Sequence, residues 1–196
     1  MDIQIKVPDG KSGPWQVQTF TVTKDQADFE NLRASFGRGR YIKEGTYKRL
    51  IRGSETIMSN TPAEIRDHMS CIWEAERRGG NILINGLGLG MVIQGMLDRL
   101  LQTGKPFHIY VVENSEDVIC LTWPTYAENS NCTLIHSDAL AYQPPKGIRY
   151  SVVWHDIWDN ICSDNLEEMK TLHRKYGRRA DWQGSWARAL CERGYR

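Results

Sequence analysis

Asn81-Ile-Leu-Ile-Asn-Gly-Leu-Gly-Leu-Gly-Met91 decides the fold of this chain. An apolar run over residues 81–85 stops at three glycines, Gly86, Gly88 and Gly90. An amphipathic helix pattern follows at once, with Val92, Ile93, Met96, Leu97, Leu100 and Leu101 on one face. A strand that turns on glycines into a helix lets backbone N–H groups approach a ligand. It also aims the partial positive charge of the helix N-terminus at that ligand.

Downstream, strands and helices alternate. Phe107-His-Ile-Tyr-Val-Val112 reads as a second buried strand ending at Glu113. A helix is expected over residues 115–126, closed around Pro124, and a third strand over 132–136. Tyr150-Ser-Val-Val-Trp154 gives a fourth strand, and residues 165–176 a helix with Leu166, Met169, Leu172 and Tyr176 on one face. This alternation predicts an α/β fold: a Rossmann-like parallel sheet flanked by helices, with right-handed crossovers. Residues 181–193 read as a helix, so the sheet is expected to be shortened at its C-terminal end.

Upstream, residues 15–23 carry a strand pattern rich in β-branched and aromatic residues. Thr23 and Gln26 form a capping signature before a short helix carrying Phe29, Leu32 and Phe36, ended by Gly37-Arg38-Gly39-Arg40. Residues 46–52 and 55–59 suggest a hairpin around Gly53-Ser54. Thr61-Pro62-Ala63-Glu64 reads as a helix start, with Glu64 placed to close a capping box. Ile65, Met69, Ile72 and Trp73 follow as its buried face. The chain therefore divides into an N-terminal α+β extension with a β-hairpin, residues 1–78, and a Rossmann-like domain, residues 79–196.

The 196 residues are 40% hydrophobic and 25% charged, ordinary for a soluble globular protein. No apolar run approaches the roughly 20 residues needed to span a bilayer, and the N-terminal residues lack a signal-peptide core. No membrane association and a cytoplasmic location are expected. The five cysteines are scattered without a C-x-x-C pair and read as reduced thiols. The histidines sit on separate elements, so no metal site is expected. Net charge is only +1, yet residues 33–52 carry seven basic residues against Glu44 alone, and residues 169–196 carry eight against Asp181 and Glu192. These stretches suit either phosphate contacts or a solvated surface balanced elsewhere.

In an open parallel sheet the ligand lies beyond the carboxyl ends of the strands. Glu113, followed by Asn114, ends the second strand, where a carboxylate can accept both hydroxyl hydrogens of a ribose. Asp138 and Ala139 follow the third, where a carboxylate can accept from an exocyclic amine. His155-Asp156-Ile157-Trp158-Asp159 follow the fourth. A dinucleotide fingerprint, G-x-G-x-x-G, would place a glycine at Met91, whereas Gly90 gives G-x-G-x-G. A tight turn with no ligand is the purely structural reading of the same glycines.

On these residues the sequence resembles the class I S-adenosylmethionine (SAM)-dependent methyltransferase family. The similarity spans about residues 80–176: L-I-N-G-L-G-L-G, V-V-E-N, H-S-D-A-L and V-V-W-H-D-I-W. It also resembles small phage-encoded methyltransferase-like proteins, in M-S-N-T-P-A-E and R-R-A-D-W-Q-G-S-W, and more loosely spermidine synthases. The resemblance implies SAM as cofactor, bound by Asn85, Gly86, Gly88, Gly90, Glu113, Asn114, Asp138 and Ala139. Asn85 stands where the family usually has an acid, and the family usually has seven strands.

Methyl transfer needs an aligned acceptor and sometimes a base. Asp156 is the first candidate to orient or deprotonate an acceptor, His155 a candidate base and Trp158 a stacking platform. The structural alternatives are a satisfied buried histidine, a packing tryptophan and, for Asp159, a helix cap. No N-P-P-Y or D-P-P-Y tetrapeptide, no Pro-Cys and no G-x-S-x-G elbow follow a strand, which argues against DNA amino-methylation, cytosine-C5 methylation and serine hydrolysis. The expected function is methyl transfer to an unidentified acceptor, small molecule or nucleic acid. The alternatives are an aminopropyltransferase-like or SAM-degrading enzyme, or a non-catalytic SAM-binding protein. A shortened sheet also leaves an edge that a second copy could cover, making a homo-oligomer possible.

Overall fold

The computed structural model describes residues 3–37 and 39–194. Arg38 and Arg196, counted in the two basic stretches, lie outside the described residues. The chain forms two sheets. The first is antiparallel, in the order β1 (Gly10–Ser12), β2 (Trp15–Val22), β3 (Gly45–Arg52), β4 (Glu55–Ser59), with α1 (Lys24–Ser35) between β2 and β3. The expected hairpin is β3–β4, with a register shift between Leu50 and Ile51. The capping box on α1 is present: Thr23 Oγ1 accepts from Gln26 N, and Gln26 Oε1 accepts from Thr23 N.

The helix α2 (Pro62–Arg78) leads into the second sheet. Its elements are β5 (Gly80–Asn85), α3 (Met91–Thr103), β6 (Phe107–Glu113), α4 (Glu116–Thr122), β7 (Cys132–His136), β8 (Tyr150–His155), α5 (Asn165–Tyr176), β9 (Ala180–Ser185) and α6 (Arg188–Glu192). The order is β7-β6-β5-β8-β9 and every pairing is parallel. β5 is central and buried on both faces, which explains its nearly unbroken apolar run. Ile82 and Ile84 pack with Ile72, Met96 and Leu97 of α2 and α3, while Leu83 faces Leu172 and Tyr176 of α5. The antiparallel sheet joins the first of these cores through Val17 and Leu50.

Three local expectations need correction. Residues 180–185 are a strand, not the start of a helix. The exposed edge of β8 offers a ladder of backbone groups, and pairing with it outweighs local helical preference. Trp182 stacks on Trp154 with ring centroids 6.3 Å apart, and Gly184 leaves room for both rings. The sheet is still short, with five strands among the described residues.

The capping box at Thr61 does not form. The Glu64 carboxylate instead accepts from Ser59 N and Ser59 Oγ, both at 2.7 Å. The third correction concerns apolar faces. Trp73 and Leu101 are exposed, as are Phe29, Leu32 and Phe36. Helical spacing marks a stripe, but a stripe is buried only where another element covers it.

A candidate ligand site at the crest of the parallel sheet

From β5 the chain steps to β6 and β7 on one side, then crosses to β8 and β9 on the other. That reversal opens a crevice beyond the carboxyl ends of β5 and β8. A cavity of about 340 Å³ lies there. Gly86, Gly88, Glu113, Asn114, Asp138, Ala139, Asp156 and Trp158 all line it. Four strand ends thus converge on one space.

The glycine loop has backbone reasons for its composition. A Cβ on Gly86, whose φ is +102°, would lie 1.9 Å from the carbonyl oxygen of Asp156. The first glycine therefore lets the β5 and β8 exits pass each other. A Cβ on Gly88, at φ +49°, would lie 2.3 Å from the Met58 sulfur. Gly90 caps α3 and packs under the ring of Tyr126, whose hydroxyl donates to Gly90 O at 3.1 Å, so it shapes the turn without lining the cavity.

Glu113 is 9% exposed, and its carboxylate already accepts three backbone N–H groups. Leu87 N donates to Oε2 at 2.9 Å, while Asn114 N and Ser115 N donate to Oε1 at 2.9 and 2.8 Å. Two carboxylate oxygens offer about four acceptor sites, so acceptor capacity is left toward the cavity. Asp138 Oδ1 accepts from Leu140 N at 2.6 Å and from Ala141 N at 3.3 Å, fixing the turn after β7.

Beyond β8, Asp156 faces the cavity, and burial together with the nearby Glu64, Asp67 and Glu113 carboxylates pushes its carboxyl up to about 8. Trp158 Nε1 donates to Glu168 Oε2 at 2.8 Å. Asp159 pairs with Arg52 at 2.7 Å and does not cap α5, whose first residue is Asn165.

His155 and Asn85 lie elsewhere. Both are fully buried on the α5 face of the sheet, bonded to each other through His155 Nδ1 and Asn85 Nδ2 at 2.8 Å. Neither lines the cavity. Burial first, and the neighbouring His173 second, lowers His155 to about 3. The geometry fits a structural histidine, bonded through Nδ1 and buried away from the cavity, better than a base in it. An amide at position 85 can bond this ring nitrogen.

The sequence reading missed the other wall. Trp15, Leu50, Arg52, Ile57 and Met58 of the antiparallel sheet roof the cavity, and Glu64 and His68 of α2 close one end. Only the four-residue spacing of Glu64 and His68, which puts both on one helix face, hinted at this. Several residues of the basic stretches pair with acids: Arg33 with Glu30, Arg40 with Asp67, Lys48 with Asp9, Arg52 with Asp159, Lys170 with Glu167 and Arg188 with Glu192.

No protein-family model matches the chain. No curated protein sequence matches it either. Solved structures do match in fold. The N-methyltransferase NodS from Bradyrhizobium japonicum WM9, in complex with S-adenosyl-L-homocysteine (SAH), is similar at TM-score 0.50 and 13% identity, over 67% of this chain and 66% of that one. The CcbJ methyltransferase from Streptomyces caelestis is similar at TM-score 0.45 and 18% identity, over 59% of this chain and 45% of that one. The 23S rRNA methyltransferase ErmE is similar at TM-score 0.45 and 12% identity, over 60% and 44%. The chain thus spans less than half the length of the latter two. The architecture is methyltransferase-like: a parallel α/β sheet with helices on both faces.

Proposed function

We propose that this protein is a SAM-dependent methyltransferase acting on an acceptor that enters beneath the antiparallel sheet. One observation carries the reading. Glu113, at the end of β6, shares a cavity with Gly86 and Gly88 at the end of β5, and its carboxylate keeps acceptor capacity toward that cavity. The cavity suits the cofactor on its own terms, because Gly86 and Gly88 bring bare backbone to its wall beside the Glu113 carboxylate. In this reading Glu113 accepts from the ribose hydroxyls, Asp138 and Ala139 border the adenine, and Asn114 and the glycine loop border the remainder. Gly90 and Asn85 support the loop from behind.

Bound SAM supplies an electrophilic methyl group on a positively charged sulfur. The chain's part is to exclude water, orient the acceptor and handle its proton. Asp156 is the residue read in that last role, and Trp158 and Trp15 are apolar surfaces against which an acceptor can lie. Calorimetric titration with SAM and with SAH, followed by mass analysis of products, tests the proposal. Binding together with methyl transfer to a supplied acceptor supports it. Breakdown of SAM without an acceptor would favour the SAM-degrading alternative, and the absence of binding would end the proposal.

A further inference from the structure

We infer that the acceptor is a cationic amine, seated between Nδ1 of His68 and Oδ2 of Asp156 in the carboxylate-rich end of the cavity. The inference rests on reading the cavity as a methyl-transfer site, and it names the substrate class of that site.

Its first support is an unpartnered buried group. His68 is 2% exposed and lines the cavity, and its Nδ1 has no hydrogen-bond partner among the described residues. A buried polar atom left unpaired is costly, so such an atom on a residue that lines a cavity, beside a carboxylate that lines it too, points to a partner supplied from that cavity. Asp156 Oδ2 lies 3.7 Å away, too far for a hydrogen bond between the two but close enough for one nitrogen to donate to both. No described side chain donates a hydrogen bond to the Asp156 carboxylate.

The second support is the charge of the walls. Glu64, Glu113, Asp138, Asp156, Asp159 and Glu168 line the cavity. The only Lys or Arg among the lining residues is Arg52, and its guanidinium is bound to Asp159 and lies 5.3 Å from the centre of the Trp15 ring. No Lys or Arg in the lining is free to receive a phosphate or carboxylate, whereas a cation meets a wall rich in acidic side chains. This favours an amine over a nucleic-acid backbone.

The chemistry closes. An alkylamine reaches the site as R–NH3⁺, which has no free electron pair. Transfer of one proton to Asp156 Oδ2 breaks an N–H bond, forms an O–H bond and leaves the pair on nitrogen. The products are R–NH2 and a neutral carboxylic acid, so charge is conserved. The groups facing Asp156 are Glu64, Asp67, His68 and Cys71 of α2 and Glu113 at the end of β6. His68 itself is held neutral by burial, with a value near 4. Amine binding should therefore strengthen as pH rises through about 8 and Asp156 ionises.

The test uses n-butylammonium chloride as the probe, with n-butanol and sodium butyrate as neutral and anionic matches. Each is titrated into the protein with and without SAH and followed by calorimetry and by carboxyl NMR. We expect butylammonium to bind at least tenfold more tightly than butanol, and butyrate not to bind. D156N and H68N should each weaken butylammonium at least fivefold while SAH affinity stays within twofold, and E64Q serves if either fails to fold. Equal affinity for butylammonium and butanol, or butylammonium binding indifferent to these substitutions, would overturn the inference. Failure of SAH to bind would instead strike the proposed function, because the amine comparison is also read without it.

Discussion

The sulfur of Met58 accepts a hydrogen bond from the backbone N–H of Leu89 at 3.2 Å. This contact seals the antiparallel sheet onto the glycine loop of the parallel one. It crosses from β4 to the turn between β5 and α3, so the roof of the cavity and its floor are built from distant parts of the chain.

Gly88→Ala should cost about 1–2 kcal/mol, because φ is +49° and a side chain there is strained whatever the space. The clash with Met58 adds to this, but the sulfur is the mobile end of a flexible side chain. In the double variant with Met58→Ala the clash disappears and the backbone strain remains, so the two costs should be less than additive. Urea denaturation of the four proteins measures this. Gly86→Ala should be far worse, because its Cβ would meet the backbone of Asp156 at 1.9 Å and neither strand exit can yield. Soluble, fully folded G86A would show that reading of the loop to be mistaken.

Glu113→Ala should act on both folding and binding. Leu87, Asn114 and Ser115 would lose the acceptor for their N–H groups. We expect a stability loss of about 1–3 kcal/mol, and a similar loss of SAM affinity where the carboxylate holds the ribose. Denaturation and calorimetry read the two separately, and a variant that loses stability while binding SAM unchanged would make Glu113 a loop clamp alone.

Stability should fall with pH between about 6.5 and 8. The folded Asp156 carboxyl stays protonated up to about 8, against 3.8 for an unperturbed aspartate. The folded protein thus binds more protons than the unfolded chain over this range, and that advantage is lost as pH rises through 8. His68 works in the opposite direction. Its value drops from 6.5 to about 4, so it adds stability that is lost as pH falls toward 4. Above 6.5 its contribution is constant and only the slope from Asp156 remains, at most about 1.4 kcal/mol per pH unit. D156N should flatten that slope in thermal or chemical unfolding measured at a series of pH values.

Phe29, Leu32 and Phe36 are 61%, 58% and 76% exposed, so they contribute little to the fold. Replacing all three with Ser or Gln should change stability by less than about 0.5 kcal/mol per site and raise solubility. A large loss of stability would mean that this face is covered in solution. Static light scattering on both proteins would reveal such a cover.

Much of the parallel sheet was legible because its signals are local. The apolar runs of β5, β6 and β8, the glycines at 86, 88 and 90, and the acid at 113 lie in sequence next to the features they create. β9 was not legible. Ala180–Ser185 has a weak strand pattern, and it becomes a strand because the edge of β8 supplies hydrogen-bond partners and Trp154 supplies a ring for Trp182. His155 and Asp156 show a second limit. Adjacent strand residues point to opposite faces, so one enters the cavity while the other is buried against Tyr176. The sequence places both at the strand end without saying which faces outward.

The sequence by itself determined the order of strands and helices from β5 to α5, the glycine turn and the carboxylates at the strand ends, because periodicity and turn chemistry act between near neighbours. Only the tertiary structure decided that β2, β3 and β4 roof the cavity, that His68 meets Asp156, and that His155 does not enter. Those outcomes depend on packing between segments far apart in the chain, where burial and charge are set by what comes to lie alongside.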